Sequence, residues 1–141
     1  MAYLSHPIRG SKGNRATKED QMRNSNIARD GAIKIRNAIH NLDVYCPGDA
    51  EMFVNYTYMN KMLTDEQILH VDCQIEGECD FLLVYEFDKL GNGCHVEIDK
   101  AKELHIPVFR FSKINYKMLG ELRKFINRFE TGAIGGFSWV V

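Results

Sequence analysis

The sequence predicts an α/β domain with a parallel sheet, on three observations. Short apolar runs alternate with amphipathic stretches along the chain, the pattern of strands linked by crossover helices. The run Phe81-Leu82-Leu83-Val84-Tyr85 carries no charge, as befits a strand buried on both faces. Proline and glycine punctuate the ends of the apolar runs, at Pro7, Pro47-Gly48 and Gly91-Asn92-Gly93. The order β-α-β-α-β-α-β-α, a short last strand in the tail and right-handed crossovers give the strand order 2-1-3-4(-5). That is a flavodoxin-like, or Rossmann-like, three-layer sandwich, and 141 residues make one such domain over positions 1–141.

Each element has a local reason. Residues 2–5 form an apolar strand, and His6-Pro7-Ile8-Arg9-Gly10-Ser11-Lys12-Gly13 follows as a loop able to offer N–H groups and a guanidinium to an anion. Lys12, Arg15, Lys18 and Arg23 give it a basic surround. Residues 20–42 read as a helix, because Ala28, Ala32, Ile35, Ile39 and Leu42 recur every three or four positions. Val44-Tyr45-Cys46 is the second strand. The segment 49–60, with Phe53, Asn55, Tyr56, Tyr58 and Asn60, is long for a connection and is expected to be a lid-like segment or a subunit contact. Thr64-Asp65-Glu66-Gln67 fits a capping box, and the helix after it should bury Ile68, Val71 and Ile75. Past the central strand, a helix bearing Val96, Ala101 and Leu104 leads to a fourth strand opened by Pro107. Residues 113–129 form an amphipathic helix with Tyr116, Leu119, Leu122, Phe125, Ile126 and Phe129 inward. The tail Phe137-Ser138-Trp139-Val140-Val141 is an edge strand or a contact with a neighbouring subunit, and a homo-oligomer, dimer or tetramer, is the expected assembly.

Composition excludes several classes of partner. A net charge of −1 gives no general attraction to nucleic acid. No apolar run approaches the roughly 20 residues that span a bilayer. No signal peptide is expected, since Tyr3 and Leu4 already read as strand. Cys46, Cys73, Cys79 and Cys94 lack metal-ligand spacing and read as reduced, mostly buried thiols. A cytoplasmic protein with no membrane partner, no metal and no cofactor is the expectation.

Ligands of open α/β sheets bind beyond the carboxyl ends of the strands, at the switch point between the first and third strands here. The first loop and residues 86–94 meet there, and Glu97 is placed in the first turn of the following helix. Asp72, four residues after Ile68, lies beside a buried stripe and calls for a partner or a function. His95 and His105 read as surface histidines.

Tyr3-Leu4-Ser5-His6-Pro7 resembles the opening strand and loop of the nucleoside 2-deoxyribosyltransferase family. Gly93-Cys94-His95-Val96-Glu97-Ile98 is similar to that family's glycine-x-x-x-glutamate segment, and Asp72, eight residues before Asp80, has the spacing of its catalytic aspartate. The resemblance covers residues 2–10, 44–49 and 68–111. Ile8-Arg9-Gly10 is most similar to the phosphate-binding loop of the 2'-deoxynucleoside 5'-monophosphate N-glycosidases. Two positions depart: His6-Pro7 separates Ser5 from Ile8, and Gly91 stands where the transferases carry an acid and the hydrolases a serine.

The resemblance implies cleavage of an N-glycosidic bond, by hydrolysis or transfer, with Glu97 as nucleophile, Asp72 as acid/base and Tyr3 holding Glu97 by a hydrogen bond. It implies a nucleotide or nucleoside substrate bound by Ser5, His6, Pro7, Ile8, Arg9, Gly10, Asn92 and Gly93. Glu97, near a helix N-terminus, is expected to stay ionised. The alternatives are a non-catalytic nucleotide-binding module on the same fold and a generic interaction domain, because fold does not fix function.

Overall fold

The computed structural model describes residues 1–50, 56, 57, 60–132 and 138–141. Phe53, Asn55 and Tyr58 of the long connection, and Phe137 of the tail, lie outside the described residues. Strands β1 (Ala2–Ser5), β2 (Val44–Tyr45), β3 (Phe81–Tyr85), β4 (Val108–Phe111) and β5 (Ser138–Val140) form one parallel sheet. Their order is β2-β1-β3-β4-β5, as predicted. The helices are α1 (Lys18–Ala38), α2 (Asp65–Gly77), α3 (Asn92–Glu103) and α4 (Tyr116–Glu130). Among the described residues no helix is long and apolar enough to cross a membrane.

Helix starts follow side-chain chemistry. Thr17 and Asp20 form a capping box on α1, Thr64 and Gln67 form the predicted one on α2, and Asn115 caps α4. Of these four helices, α3 begins without a side-chain cap, at Gly91.

Strand register sorts the core into two faces. Ala2, Leu4, Phe81, Leu83, Tyr85, Phe109 and Phe111 share one face, and Tyr3, Ser5, Leu82, Val84, Val108 and Arg110 the other. On the first face Phe125 of α4 packs edge-on against Phe81 and Phe109. Gly31 brings α1 so close to the sheet that a Cβ there would lie 2.7 Å from the Tyr85 ring. Arg123 of α4 donates to the Ala38 carbonyl at the end of α1, so these helices are neighbours. The second face carries α2 and α3, since Ser5 reaches Glu97 of α3. The connection from β1 to β2 and that from β4 to β5 thus cross the same face in opposite directions along the sheet. The last crossover therefore has the opposite hand to the first, against the expected uniform right-handedness. The aromatic docking of α4 decides its side, and three-residue β5 follows it.

Two expectations of burial are corrected. Val71 is 45% exposed, because the inward stripe of α2 runs through Ile68, Asp72, Ile75 and Glu76 instead. Tyr116 is 95% exposed, since it sits directly after the cap of α4 and projects outward. Leu104 ends α3 at the surface. Helix α1 closes at Ala38, so Ile39 and Leu42 pack on the core from the connection that follows it.

Candidate functional site

A cleft of about 190 Å³ opens beyond the carboxyl ends of β1 and β3. Its walls are the loop after β1, the first two turns of α2 and the start of α3. Of the residues singled out in the sequence, His6, Ile8, Arg9, Asp72, Asn92, Gly93 and Glu97 line it. Tyr3, Ser5, Pro7 and Gly10 stand behind this first layer.

Glu97 forms the floor. It belongs to the second turn of α3 rather than the first, and it is buried. The Ser5 hydroxyl donates to its Oε1 at 2.8 Å, linking β1 to α3. Burial pushes its pKa up to about 7, with Asp72 adding to the rise and the Tyr3 and Ser5 side chains opposing it. The helix N-terminus was expected to keep Glu97 ionised; it is more than one turn away, and desolvation outweighs it, so near neutral pH both forms are populated.

Tyr3 is fully buried, and among the described residues its hydroxyl has no hydrogen-bond partner. It stands near enough to Glu97 for each to shift the other, yet outside hydrogen-bonding geometry. Burial first, and then the Glu97 charge, hold the phenol proton well above its ordinary pKa. The Ser5 hydroxyl donates to the carboxylate, and the Tyr3 hydroxyl beside it also favours its ionised form.

Asp72 faces the cleft from α2, half-buried. Burial alone raises its pKa to about 6. One turn further along α2, Glu76 is completely buried, and neither carboxyl oxygen has a hydrogen-bond partner among the described residues. Burial, then the nearby Glu97, push its pKa up to about 8 against the pull of Lys100. Its signal in the sequence was the spacing of four from Asp72, which puts both acids on one helix face.

The first loop is held from two sides. Asn24 of α1 donates to the Ile8 carbonyl at 2.8 Å. Asp88, after β3, accepts from the Ser11 N–H at 3.0 Å and lies where a Cβ on Gly10 would be, 2.1 Å from that point. Gly10 has a φ of +62°, so glycine is needed there twice over. The N–H behind Gly10 is thus occupied by the chain's own carboxylate. Asp88 gave no motif-level signal.

His6 is buried, and its Nδ1–H donates to the Pro7 carbonyl at 3.1 Å. Burial lowers its pKa, so it is a neutral wall of the cleft. Arg9 sits at the rim, 39% exposed, and donates to Asp65 Oδ2 at 3.3 Å and to Asn14 Oδ1 at 3.4 Å. Asp65 and Glu66, read in the sequence only as the inside of a capping box, line the mouth beside it.

Cys94 lies near Ser5, but burial pushes its thiol to about 12, so it is no nucleophile at neutral pH. All four cysteines are free thiols. Among the described residues no group of three or more histidines, cysteines and acids could hold a metal ion. The site offers two inner carboxyl groups of different environment, Glu97 and Asp72, two more at the mouth, Asp65 and Glu66, one guanidinium and an uncapped helix start. Comparison with family models, with curated proteins and with solved structures finds no match.

Proposed function

We propose that the protein cleaves the N-glycosidic bond of a (2'-deoxy)nucleoside 5'-monophosphate, by hydrolysis or by deoxyribosyl transfer, through a glycosyl ester on Glu97. The observation that carries this reading is the pair of acids from facing helices in one cleft: Glu97 hydrogen-bonded by Ser5, and Asp72 with no ion-pair partner among the described residues and a raised pKa. Glycosidic cleavage uses such a division of labour between two carboxyl groups. A Glu97 oxygen attacks C1' as the C1'–N bond breaks, and the bonding electrons leave with the base. Asp72 gives its proton to that base. Water or an acceptor base then opens the ester, returning a proton to Asp72 and the charge to Glu97. Arg9 and the uncapped first turn of α3 supply the donors toward which a 5'-phosphate would point, among the acids that also line the mouth. The chemistry calls for no cofactor.

Wild type and Glu97→Gln are to be incubated with a panel of nucleoside and 2'-deoxynucleoside 5'-monophosphates, and free base measured by chromatography. Base is expected from the wild type and none from Glu97→Gln. A panel that stabilises the wild type against heat yet releases no base would replace the enzyme with a binding module.

A further inference from the structure

The rim of the cleft carries an ion pair whose place is not explained by packing. Arg9 and Asp65 belong to different walls, the loop after β1 and the first turn of α2, and both line the mouth. Their contact is long, 3.3 Å, and the side chains are 39% and 62% exposed. The second partner of Arg9, Asn14, is longer still at 3.4 Å. The Thr64 and Gln67 capping box holds the start of α2, so Asp65 is not needed for the cap. Exposed pairs of this kind hold weakly.

The surrounding charge makes the pair informative. Asp65, Glu66, Asp72 and Glu97 line the cleft, against one guanidinium and a neutral His6. A phosphate dianion entering this mouth meets an acidic field, and its one strong cationic partner is already occupied by a carboxylate. The carboxylate binds the guanidinium in the way a phosphate oxygen would. Asp65 can also swing to solvent at little loss, since a helix N-terminus favours its charge in either rotamer.

We propose that Asp65 is a specificity-determining residue, a built-in stand-in for the substrate phosphate that occupies Arg9 in the empty site and is displaced when a phosphate enters. It competes with an incoming phosphate for the Arg9 guanidinium. This inference rests on the nucleotide reading above, but its test reads binding and not turnover.

The test is a double-mutant cycle over Arg9→Ala and Asp65→Asn, read by calorimetric titration with inorganic phosphate, with four 2'-deoxynucleoside 5'-monophosphates and with the matching nucleosides. Asp65→Asn should tighten phosphate and nucleotide binding by about 2–5-fold, the upper part of the span open to an exposed charge pair, and leave nucleosides unchanged. In the Arg9→Ala background the same substitution should change nothing. Equal tightening in both backgrounds would mean a general field effect and overturn the proposal. Weaker binding in Asp65→Asn would make Asp65 a fixed support for Arg9 and overturn it too, as would no change. Failure of wild type and Asp65→Asn alike to bind any phosphate would remove Arg9 as an anion site. Absence of base release with the expected cycle would remove the glycosidase reading and leave this one standing.

Discussion

At the scale of single residues, the proposed chemistry needs Glu97 ionised and Asp72 protonated at once. Burial places Glu97 at about 7 and Asp72 at about 6, so the productive form is the less populated arrangement of one shared proton. The rate should rise with pH while Glu97 loses its proton and fall while Asp72 loses its own. A bell-shaped kcat/KM profile with its maximum between about pH 6 and about pH 7 is expected, its limbs belonging to the pair. Asp72→Asn should lower kcat/KM by about 10²–10⁴-fold and abolish the alkaline limb. If Asp72→Asn kept its activity and lost only stability, Asp72 would be a structural acid. The position of both acids was legible in the sequence, because strand ends and helix periodicity place them. Their protonation was not, because it depends on how deeply the folded chain desolvates Glu97.

At the scale of elements, the loop after β1 and the loop after β3 are stapled together by Asp88. The glycines of the first loop suggested room for a ligand anion; at Gly10 that room belongs to the Asp88 carboxylate. Its hydrogen bonds from the Ser11 and Lys89 N–H groups hold its pKa down. Gly10→Ala combines a φ of +62° with a clash at 2.1 Å, so a loss on the order of 1–3 kcal/mol in urea unfolding is expected. Removing the carboxylate relieves the clash but not the backbone strain, so Gly10→Ala should be milder in an Asp88→Ala background. Equal losses in the two backgrounds would show that the backbone angle alone matters. A sequence marks such a glycine as a turn; it does not reveal which distant side chain fills the space beside it.

At the scale of the whole molecule, the sheet order was legible because apolar runs and turn residues alternate so regularly. The side taken by α4 was not, since it rests on Phe125 meeting Phe81 and Phe109 rather than on connection rules. Nor was the burial of Glu76, which follows from α2 rotating Val71 outward and the acid inward. That acid ties global stability to pH. Its pKa rises from the ordinary 4.5 to about 8 on folding, so the folded state binds its proton more tightly than the unfolded chain does. Its stabilising share is complete below about pH 4.5 and is lost as the pH climbs through about 8. Glu97 and Asp72 are raised as well and act in the same direction, whereas Asp20, lowered by Thr17 and Lys12, matters only in strong acid. Each of the three raised acids, Glu76, Glu97 and Asp72, removes at most about 1.4 kcal/mol per pH unit. Glu76→Gln carries a neutral side chain of the same shape at every pH. Melting curves of the two proteins should therefore nearly coincide at about pH 4 and separate by about pH 9, with the variant the more stable. Curves that stay parallel would sink the idea. They would mean that Lys100, which the structure pairs with Glu103 at 3.4 Å, turns inward to neutralise Glu76 as it ionises.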